Sequence, residues 1–394
     1  MEAREGIDRR AMATLSGGHL AADFASGSVP ALIPFLTDRF DLSYALAALL
    51  LLAATISSSL VQPLFGLWSD RRGALWLIPG GVALAGVGVA CAAVSPLYPL
   101  TLLLVLVGGL GVAAFHPEGA KFAAYASGRR RASGMSYFNI GGNTGYALGA
   151  FATGELVVWL GLAGGIAAMA PVLLVGAWLA REMPRIERLH RHVADGGEEG
   201  RDDRAAMAVL GSVIALRSVS WFTLLAFVPL WEVAHGHSTA EANRLLFAML
   251  LAGAVGTLLL GAVADRIGLR RTLTVTQAAI APAILLFVYA DGALAALGLL
   301  LVGVCTVGSF GVTMVLSQLY LPRHVGMASG LSVGLAMGIG GLAAVVLGAV
   351  ADAVDLRAAL VACAVAPALG VLGCVRLPAP AARPQRLETA ATPT

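Results

Sequence analysis

The sequence contains few charged residues for its length. Of its 394 residues, 12% are Asp, Glu, Lys or Arg, and Lys121 is the one lysine. Soluble domains carry about 25% charged residues. A chain that is 58% hydrophobic cannot hide that much apolar surface in a water-soluble fold of this size. The shortage of charge therefore excludes an ordinary soluble protein and indicates that the bilayer is the solvent.

Cysteines and enzyme motifs are also scarce. The sequence contains no H-E-x-x-H pair for zinc and no Walker loop for nucleotide. These absences disfavour an intramembrane metalloenzyme and an ATP-driven pump, so we expect no enzyme activity, no cofactor and no metal. The four cysteines lie in apolar runs, where we expect small buried hydrophobes and not disulfides: Cys91, Cys305, Cys363 and Cys374.

Apolar segments long enough to span a bilayer fill most of the chain. A spanning helix needs roughly 20 mostly apolar residues, and the mean hydropathy of the chain is +0.83. The sequence predicts an all-α membrane protein with twelve transmembrane helices, at residues 11–36, 43–67, 74–94, 97–126, 132–159, 162–181, 206–233, 239–263, 272–290, 292–320, 326–351 and 356–376.

Matches at a constant spacing indicate that the two six-helix segments are repeats. The pattern G-x-x-x-D-R-x-G occurs at 66–73 and 261–268, and Pro34 and Pro229 share the same offset of 195 residues. Two such repeats are typical of transporters, whose sites lie between them near the middle of the membrane. We predict an N-terminal half at 1–181, a cytoplasmic linker at 182–205, a C-terminal half at 206–376 and a disordered cytoplasmic tail at 377–394.

The arginines concentrate on one side of this predicted topology. If the N-terminus is cytoplasmic, the opposite side keeps only Arg39, Arg244 and Arg357. The positive-inside rule then places both termini in the cytoplasm and the protein in the inner (cytoplasmic) membrane. The net charge of +3 therefore reflects topology, and no nucleic-acid partner is expected. We expect a multi-pass monomer whose partners are a small-molecule substrate, protons and the lipid bilayer.

Several segments resemble a family of known transporters. SGGHLAADFASGSVPALIPFL, LVQPLFGLWSD, FHPEGAKFAAYASG and NIGGNTGYALG are similar to segments of the fosmidomycin-resistance family of bacterial drug exporters, within the major facilitator superfamily. The resemblance covers nearly the whole membrane region. It implies the major facilitator fold, exchange of a drug for protons, and a role in drug efflux and antibiotic resistance. The alternative on the same fold is a proton-coupled importer of an organic acid or another small metabolite.

Four titratable residues in predicted helices 1 and 4 are candidates for coupling to protons. His19 and Asp23 are spaced i, i+4 and share a face of helix 1. Asp23 lies about 18 Å from the start of that helix, where a carboxylate is costly and marks a pathway or a partner. A packing hydrogen bond between the two is the alternative. His116 adds a group that titrates near neutral pH, and Glu118 is expected either to take part or to be structural.

Polar and aromatic residues are candidates for contact with the substrate. Arg217 in helix 7 stays charged and needs an anion, which is Asp23, a substrate, both in turn, or a permanent partner on another helix. An anionic or phosphonate-like compound would suit the planar donors of Arg217, whereas a lipophilic cation would suit Asp23. The other candidates for the substrate site are Asn139, Asn143, Tyr146 and Trp221.

Charged pairs near the predicted cytoplasmic surface are candidates for gating. The repeated loop motif contains Asp70-Arg71 and Asp265-Arg266, and such pairs can join neighbouring helices in one conformation and release them in another. Lys121 follows Glu118 by three residues, so the two can neutralise each other. We expect these residues to control gating and not specificity.

Overall fold

The computed structural model describes residues 6–62, 64–65, 68, 74–128, 131–187, 202–322 and 325–378. These residues form helices, with no strand among them. The helices are α1 (Arg9–Phe40), α2 (Tyr44–Leu60), α3 (Leu77–Val94), α4 (Tyr98–Ala126), α5 (Arg131–Leu160), α6 (Gly164–Ile186), α7 (Arg204–Ala234), α8 (Thr239–Ile267), α9 (Leu269–Tyr289), α10 (Gly292–Gly308), α11 (Phe310–Tyr320), α12 (Val325–Ala353) and α13 (Leu356–Arg376).

Short polar side chains explain where several helices begin. Asp8 accepts a hydrogen bond from the Ala11 N–H at the start of α1, and Asp203 does the same for Ala206 at the start of α7. A reciprocal capping box formed by Ser238 and Glu241 begins α8. Such caps bond N–H groups that the first turn of a helix leaves without a helical partner.

Nine stretches within the described residues are long and apolar enough to cross a membrane. One of them, Tyr137–Ile186, holds both α5 and α6, and another, Gly292–Tyr320, holds α10 and α11. Two further apolar helices, Tyr44–Ser59 and Met337–Ala353, are shorter. The predicted all-helical membrane architecture is confirmed, and the count of twelve spans stays a prediction.

Several helix boundaries differ from the predicted ones by a few residues, and two of the differences concern a helix break and the linker. The predicted helix at 292–320 is interrupted at Ser309, whose hydroxyl donates to the Cys305 carbonyl at 2.6 Å, a local bond of the kind that bends helices. The other difference is that α6 continues to Ile186, so residues 182–186 of the predicted linker are helical. The rest of the linker from 188 to 201, and the tail from 379, lie outside the described residues.

The closest helix packing joins α1 to α5. A methyl group placed on Gly145 would overlap the Leu20 carbonyl, and one on Gly149 would overlap the Phe24 carbonyl. Small residues at this spacing let two helix backbones approach each other in a membrane. Gly145 and Gly149 therefore serve packing, and the close approach fixes the face of α1 that α5 covers.

The helices before residue 188 (the N-terminal helices) and those after residue 201 (the C-terminal helices) pack mostly among themselves. We call the end of the bundle at which α1 begins the terminal end, and the opposite end the far end. Along α7, all residues from Phe222 to Trp231, toward the far end, are buried, whereas Ala208 and Ser212, toward the terminal end, are exposed. Among the described residues, α7 is therefore enclosed toward the far end and has exposed side chains toward the terminal end.

Candidate functional site

Helices α1 and α4 bring one carboxylate and two histidines together. His19 Nε2 lies 3.3 Å from Asp23 Oδ2, one turn along α1. His116 Nε2, from α4, lies 3.3 Å from the other carboxylate oxygen, Asp23 Oδ1. We call these three residues the Asp23 cluster. The structure thus joins three of the four residues predicted to couple transport to protons.

Backbone contacts fix where each histidine carries its ring proton. His19 Nδ1 lies 2.8 Å from the Phe138 carbonyl of α5, and His116 Nδ1 lies 2.9 Å from the Val112 carbonyl of its own helix. A carbonyl oxygen only accepts hydrogen bonds, so each Nδ1 must donate its proton. In a neutral histidine the other nitrogen, Nε2, is then a bare lone pair that faces Asp23.

This arrangement gives the Asp23 cluster a need for protons. A bare Nε2 and a carboxylate oxygen 3.3 Å apart are two acceptors facing each other, which is unfavourable away from water. One proton converts one of the two contacts into a hydrogen bond, and a second proton converts the other. The cluster therefore gains favourable contacts when it is protonated and loses them when the protons leave.

The two histidines differ in their access to the interior of the bundle. The His19 ring stacks on Phe138 with ring centroids 4.1 Å apart, and its side chain is 9% exposed. The side chain of Asp23 is 18% exposed and that of His116 is 24% exposed. Asp23 and His116 are therefore the more accessible members of the Asp23 cluster, and His19 is the most buried.

Glu118 faces away from the Asp23 cluster and pairs with Lys121. Its Oε1 accepts a hydrogen bond from Lys121 Nζ at 2.9 Å, as the i, i+3 spacing predicted. The residue is 1% exposed, and its other oxygen, Oε2, has no hydrogen-bond partner within the described part of the chain. A role for Glu118 as a second proton site stays a prediction.

Arg217 does not contact Asp23. Its guanidinium donates to Ser309 Oγ at 2.6 Å and to Thr313 Oγ1 at 3.4 Å. Ser309 is the residue that interrupts the helix between α10 and α11. No described carboxylate forms an ion pair with Arg217, which is 3% exposed. The expectation of a pair with Asp23, or of a permanent carboxylate partner, is therefore wrong for this conformation, because hydroxyls satisfy the guanidinium instead.

The remaining predicted substrate contacts lie on two helices. Asn139 is exposed, whereas Asn143 and Tyr146 are partly exposed and follow it along one face of α5. No hydrogen bond joins either amide to another described residue. Trp221, on α7, is partly buried and packs on the main apolar core. The three α5 residues lie on the helix whose Phe138 carbonyl contacts His19 of the Asp23 cluster.

Of the two predicted gating pairs, the described residues include Asp265-Arg266. Asp70 and Arg71 lie outside the described residues. Asp265 and Arg266 are exposed at the end of α8 and form no ion pair with a described residue. Their role in gating stays a prediction.

Polar contacts between the N-terminal and C-terminal helices occur instead at the far end, where the sequence analysis did not look for them. Arg244 donates to both oxygens of Glu155, at 2.6 and 3.0 Å. The carboxylate of Asp352 accepts from the backbone N–H groups of Tyr44 and Ala45 at 2.7 and 3.0 Å. Asn243 donates to the Ala31 carbonyl at 3.2 Å. We call these three contacts the far-end latch. In the sequence, only Arg244 indicated it, as one of the three arginines predicted on the side of the membrane opposite to the termini.

A sequence pattern that is typical of hydrolases occurs in α12, where the structure shows its serine to be part of the helix. Residues 330–334 read G-x-S-x-G, a pattern that in hydrolases exposes the serine on a sharp turn from strand to helix. Ser332 lies instead inside α12, is 1% exposed and donates to the Ala328 carbonyl at 3.0 Å. The pattern is therefore not a nucleophile site.

The chain matches the family model of the Major Facilitator Superfamily over residues 15–345 and again over residues 210–393. It belongs to that family, and it is therefore a multi-pass membrane transporter and not an enzyme. A bacterial homolog of the human lysosomal transporter Spinster, solved in an inward-facing and occupied conformation, has the same fold with a TM-score of 0.75. That structure is 16% identical, and the match covers 93% of this chain and 96% of the other.

Two relatives match over most of their length. An uncharacterized MFS-type transporter of Bacillus subtilis (strain 168), YfnC, is 32% identical over 365 residues, 90% of this chain and 89% of the relative. The fosmidomycin resistance protein of Escherichia coli (strain K12) is 28% identical over 369 residues, 92% of this chain and 91% of the relative. The predicted resemblance to the fosmidomycin-resistance family is confirmed.

Proposed function

We propose that the protein is a proton-coupled antiporter that exports a small organic compound by alternating access. In this proposal it works as a monomer in the inner (cytoplasmic) membrane, with both termini in the cytoplasm. The Asp23 cluster exchanges protons, and the substrate binds beside it. The observation that carries the proposal is that the Nε2 atoms of His19 and His116 each lie 3.3 Å from a different oxygen of Asp23.

Coupling follows from the cost of leaving Asp23 charged and alone. A charged side chain near the middle of a bilayer is expensive unless it is paired. Protons relieve this cost in one state, and hydrogen-bond donors of the substrate relieve it in the other. An antiporter depends on this alternation. The bundle should change conformation when it carries protons or substrate, and it should keep its conformation when it carries neither.

The packing of the helices supports an inward-facing state under the proposed orientation. The far-end latch joins Glu155 to Arg244 and Asp352 to the start of α2, while α7 exposes Ala208 and Ser212 at the other end. If the termini are cytoplasmic, the closed far end faces outward and the cavity opens to the cytoplasm. Export then begins with capture of the substrate from that side, and opening requires the far-end latch to break.

The substrate proposal is an organic compound of modest size, with fosmidomycin as the first candidate. The name of the Escherichia coli relative supports that choice. The exposed amide of Asn139, the partly exposed Asn143 and Tyr146, and the carboxylate of Asp23 provide polar contacts along α1 and α5. Arg217 can join them only if it exchanges its hydroxyl partners for a ligand.

Transport by purified protein in liposomes tests the proposal. We expect an imposed pH gradient to drive fosmidomycin against its concentration gradient, toward the compartment from which protons flow. Asp23→Asn, which imitates the protonated acid, should abolish uphill transport while exchange at equal concentrations continues. Asp41→Asn is the matched control, because Asp41 is exposed at the far end in a left-handed conformation that Asn tolerates.

Two outcomes would count against the proposal. If Asp23→Asn still drives uphill transport at the wild-type rate, the proton carrier is another residue, and Glu118 is the next to test. If fosmidomycin moves together with protons and not against them, the protein is the proton-coupled importer that the sequence left open. Inverted and right-side-out vesicles then establish the direction in the native membrane.

A further inference from the structure

We propose that Gly142 is a positioning residue that sets how firmly the Asp23 cluster holds its protons. This inference rests on the proposed function, because it concerns the same cluster. Gly142 lies on α5 between Gly141 and Asn143, and its missing side chain leaves the space that His19 and Asp23 occupy. The bare helix surface at Gly142 is therefore one wall of the cluster.

Gly142 differs from the packing glycines of the same helix. A methyl group on Gly141, Gly145 or Gly149 would overlap a backbone carbonyl oxygen of α1. A methyl group on Gly142 would overlap His19 Nε2 instead and would lie 2.6 Å from Asp23 Oδ2. Substitution at the first three positions must push two helices apart, whereas substitution at Gly142 pushes on two side chains.

Both side chains that face Gly142 must shift to admit a methyl group. His19 is held by its hydrogen bond to the Phe138 carbonyl and by stacking on the Phe138 ring, so the methyl group pushes its Nε2 away against these two contacts. Asp23 is 18% exposed and is the less enclosed of the two. Because the methyl group presses on the two atoms that face each other, His19 Nε2 and Asp23 Oδ2, it should separate the carboxylate from His19.

Separation changes the balance of charge around Asp23. The described titratable groups that face its carboxylate are His19 on α1, His116 on α4 and Tyr146 on α5. Without its contact to His19, the carboxylate has one protonated histidine fewer to stabilise its charged form. Asp23 should then keep its proton up to a higher pH than in the wild type, while the proton shared with His19 is lost from the cluster.

Infrared difference spectroscopy measures the proton on Asp23 without any transport. In purified protein, the carboxylic-acid C=O band that disappears in Asp23→Asn is followed as the pH is raised. For Gly142→Ala we expect the midpoint of this band to move by about one pH unit or more toward higher pH, as loss of a close opposite charge does. Gly176→Ala is the control, because its methyl group meets the nearest atom at an ordinary 3.5 Å.

A double-mutant cycle separates action through His19 from a general loss of packing. Removing the ring in His19→Ala makes room, so Gly142→Ala should add no further shift in that background. If Gly142→Ala alone fails to fold, the band midpoint of the double variant is compared with that of His19→Ala, and the two should be equal. A shift that adds fully to that of His19→Ala would overturn the inference, as would an unchanged midpoint in Gly142→Ala.

The packing glycines supply the other comparison. Gly145→Ala should lower the thermal stability of the protein more than Gly142→Ala does, because it displaces a helix backbone. If both variants move the Asp23 band equally, helix spacing and not the Gly142 surface sets the proton affinity, and the inference is wrong. Failure of the proposed function looks different: uphill transport by Asp23→Asn would leave the band shift in Gly142→Ala unaffected.

Discussion

The two predicted halves place different chemistry at corresponding positions. With the offset of 195 residues, Asp23 corresponds to Ser218 and His19 to Ile214. The hydroxyl of Ser218 donates to a carbonyl of its own helix at 2.7 Å, and Ile214 is buried in an apolar cluster. The neighbouring Arg217 provides the only charge at this level of α7. The N-terminal helices thus hold groups that titrate, and the C-terminal helices hold a fixed cation.

This difference separates coupling from structure. Arg217 keeps its proton at any physiological pH, and Ser309 and Thr313 accept hydrogen bonds from its donors. It can therefore stabilise the interrupted helix or bind an anion, but it cannot exchange protons. The Asp23 cluster changes its charge with each proton it gains or loses. Proton coupling should accordingly depend on the N-terminal helices alone.

Moving the carboxylate between the halves should produce the largest effect. Asp23→Asn is expected to reduce proton-driven transport of fosmidomycin about 100-fold or more, the scale of a lost proton-transfer group. Adding Ser218→Asp in the same chain should not restore it, because Ile214 occupies the place of the histidine. Uphill transport in liposomes is measured for Asp23→Asn and for the double variant, with Ser218→Asp alone as the control. Restored coupling would show that the position of the acid matters and its histidines do not.

Arg217→Lys should affect stability and leave the pH dependence unchanged. A lysine ammonium lacks the planar set of donors that reaches both Ser309 and Thr313, and a lost buried hydrogen bond costs about 1–3 kcal/mol. We expect the free energy of unfolding in detergent to fall by that amount, with the pH profile of transport unaltered. Arg266→Lys, at an exposed position, is the control. A displaced pH profile would place Arg217 in the coupling machinery.

Weakening the far-end latch should have the smallest effect. Glu155→Gln removes one charge from a pair whose arginine side chain is 57% exposed, and solvent strongly screens such pairs. We expect a shift of about two- to fivefold toward the state that is open at the far end. The shift is measured with spin labels at Asp41→Cys and Asp291→Cys, which are both exposed in far-end loops. The distance between the two labels is recorded in a chain that also carries Cys91→Ser.

A second ion pair provides the control for the latch. Glu182→Gln breaks the 2.7 Å contact of Glu182 with Arg10, which lies within the N-terminal helices. It should leave the distance between the two labels as in the wild type. Equal shifts in the two variants would show that the latch has no special role in closing the far end.

Much of the fold could be predicted from the sequence, because hydropathy reports directly on the solvent of each segment. The membrane class and most helix positions followed from apolar runs and repeated motifs, and the family followed from segments that resemble those of known transporters. The i, i+4 spacing also predicted that His19 and Asp23 share a face of α1, and they lie 3.3 Å apart. Local periodicity contains that information, since both residues belong to one helix.

The contacts between distant segments could not be predicted in this way. His116 reaches Asp23 only because α4 packs beside α1, and nothing in either segment alone indicates that neighbour. The same holds for Arg217, whose hydroxyl partners lie where a helix is interrupted. Asp352 caps a helix more than 300 residues away in the chain, at Tyr44. Hydrophobic periodicity specifies which face of a helix is buried, but it does not specify which other helix covers that face.

Proton release on binding tests the central claim most directly. Fosmidomycin is added to purified protein in weakly buffered detergent solution, and a pH indicator counts the protons released. If substrate and protons compete for the Asp23 cluster, the wild type and the Asp41→Asn control should release protons and Asp23→Asn should release none, although it still binds. Undiminished proton release by Asp23→Asn would contradict the account, because the protons would then come from a site outside the Asp23 carboxylate.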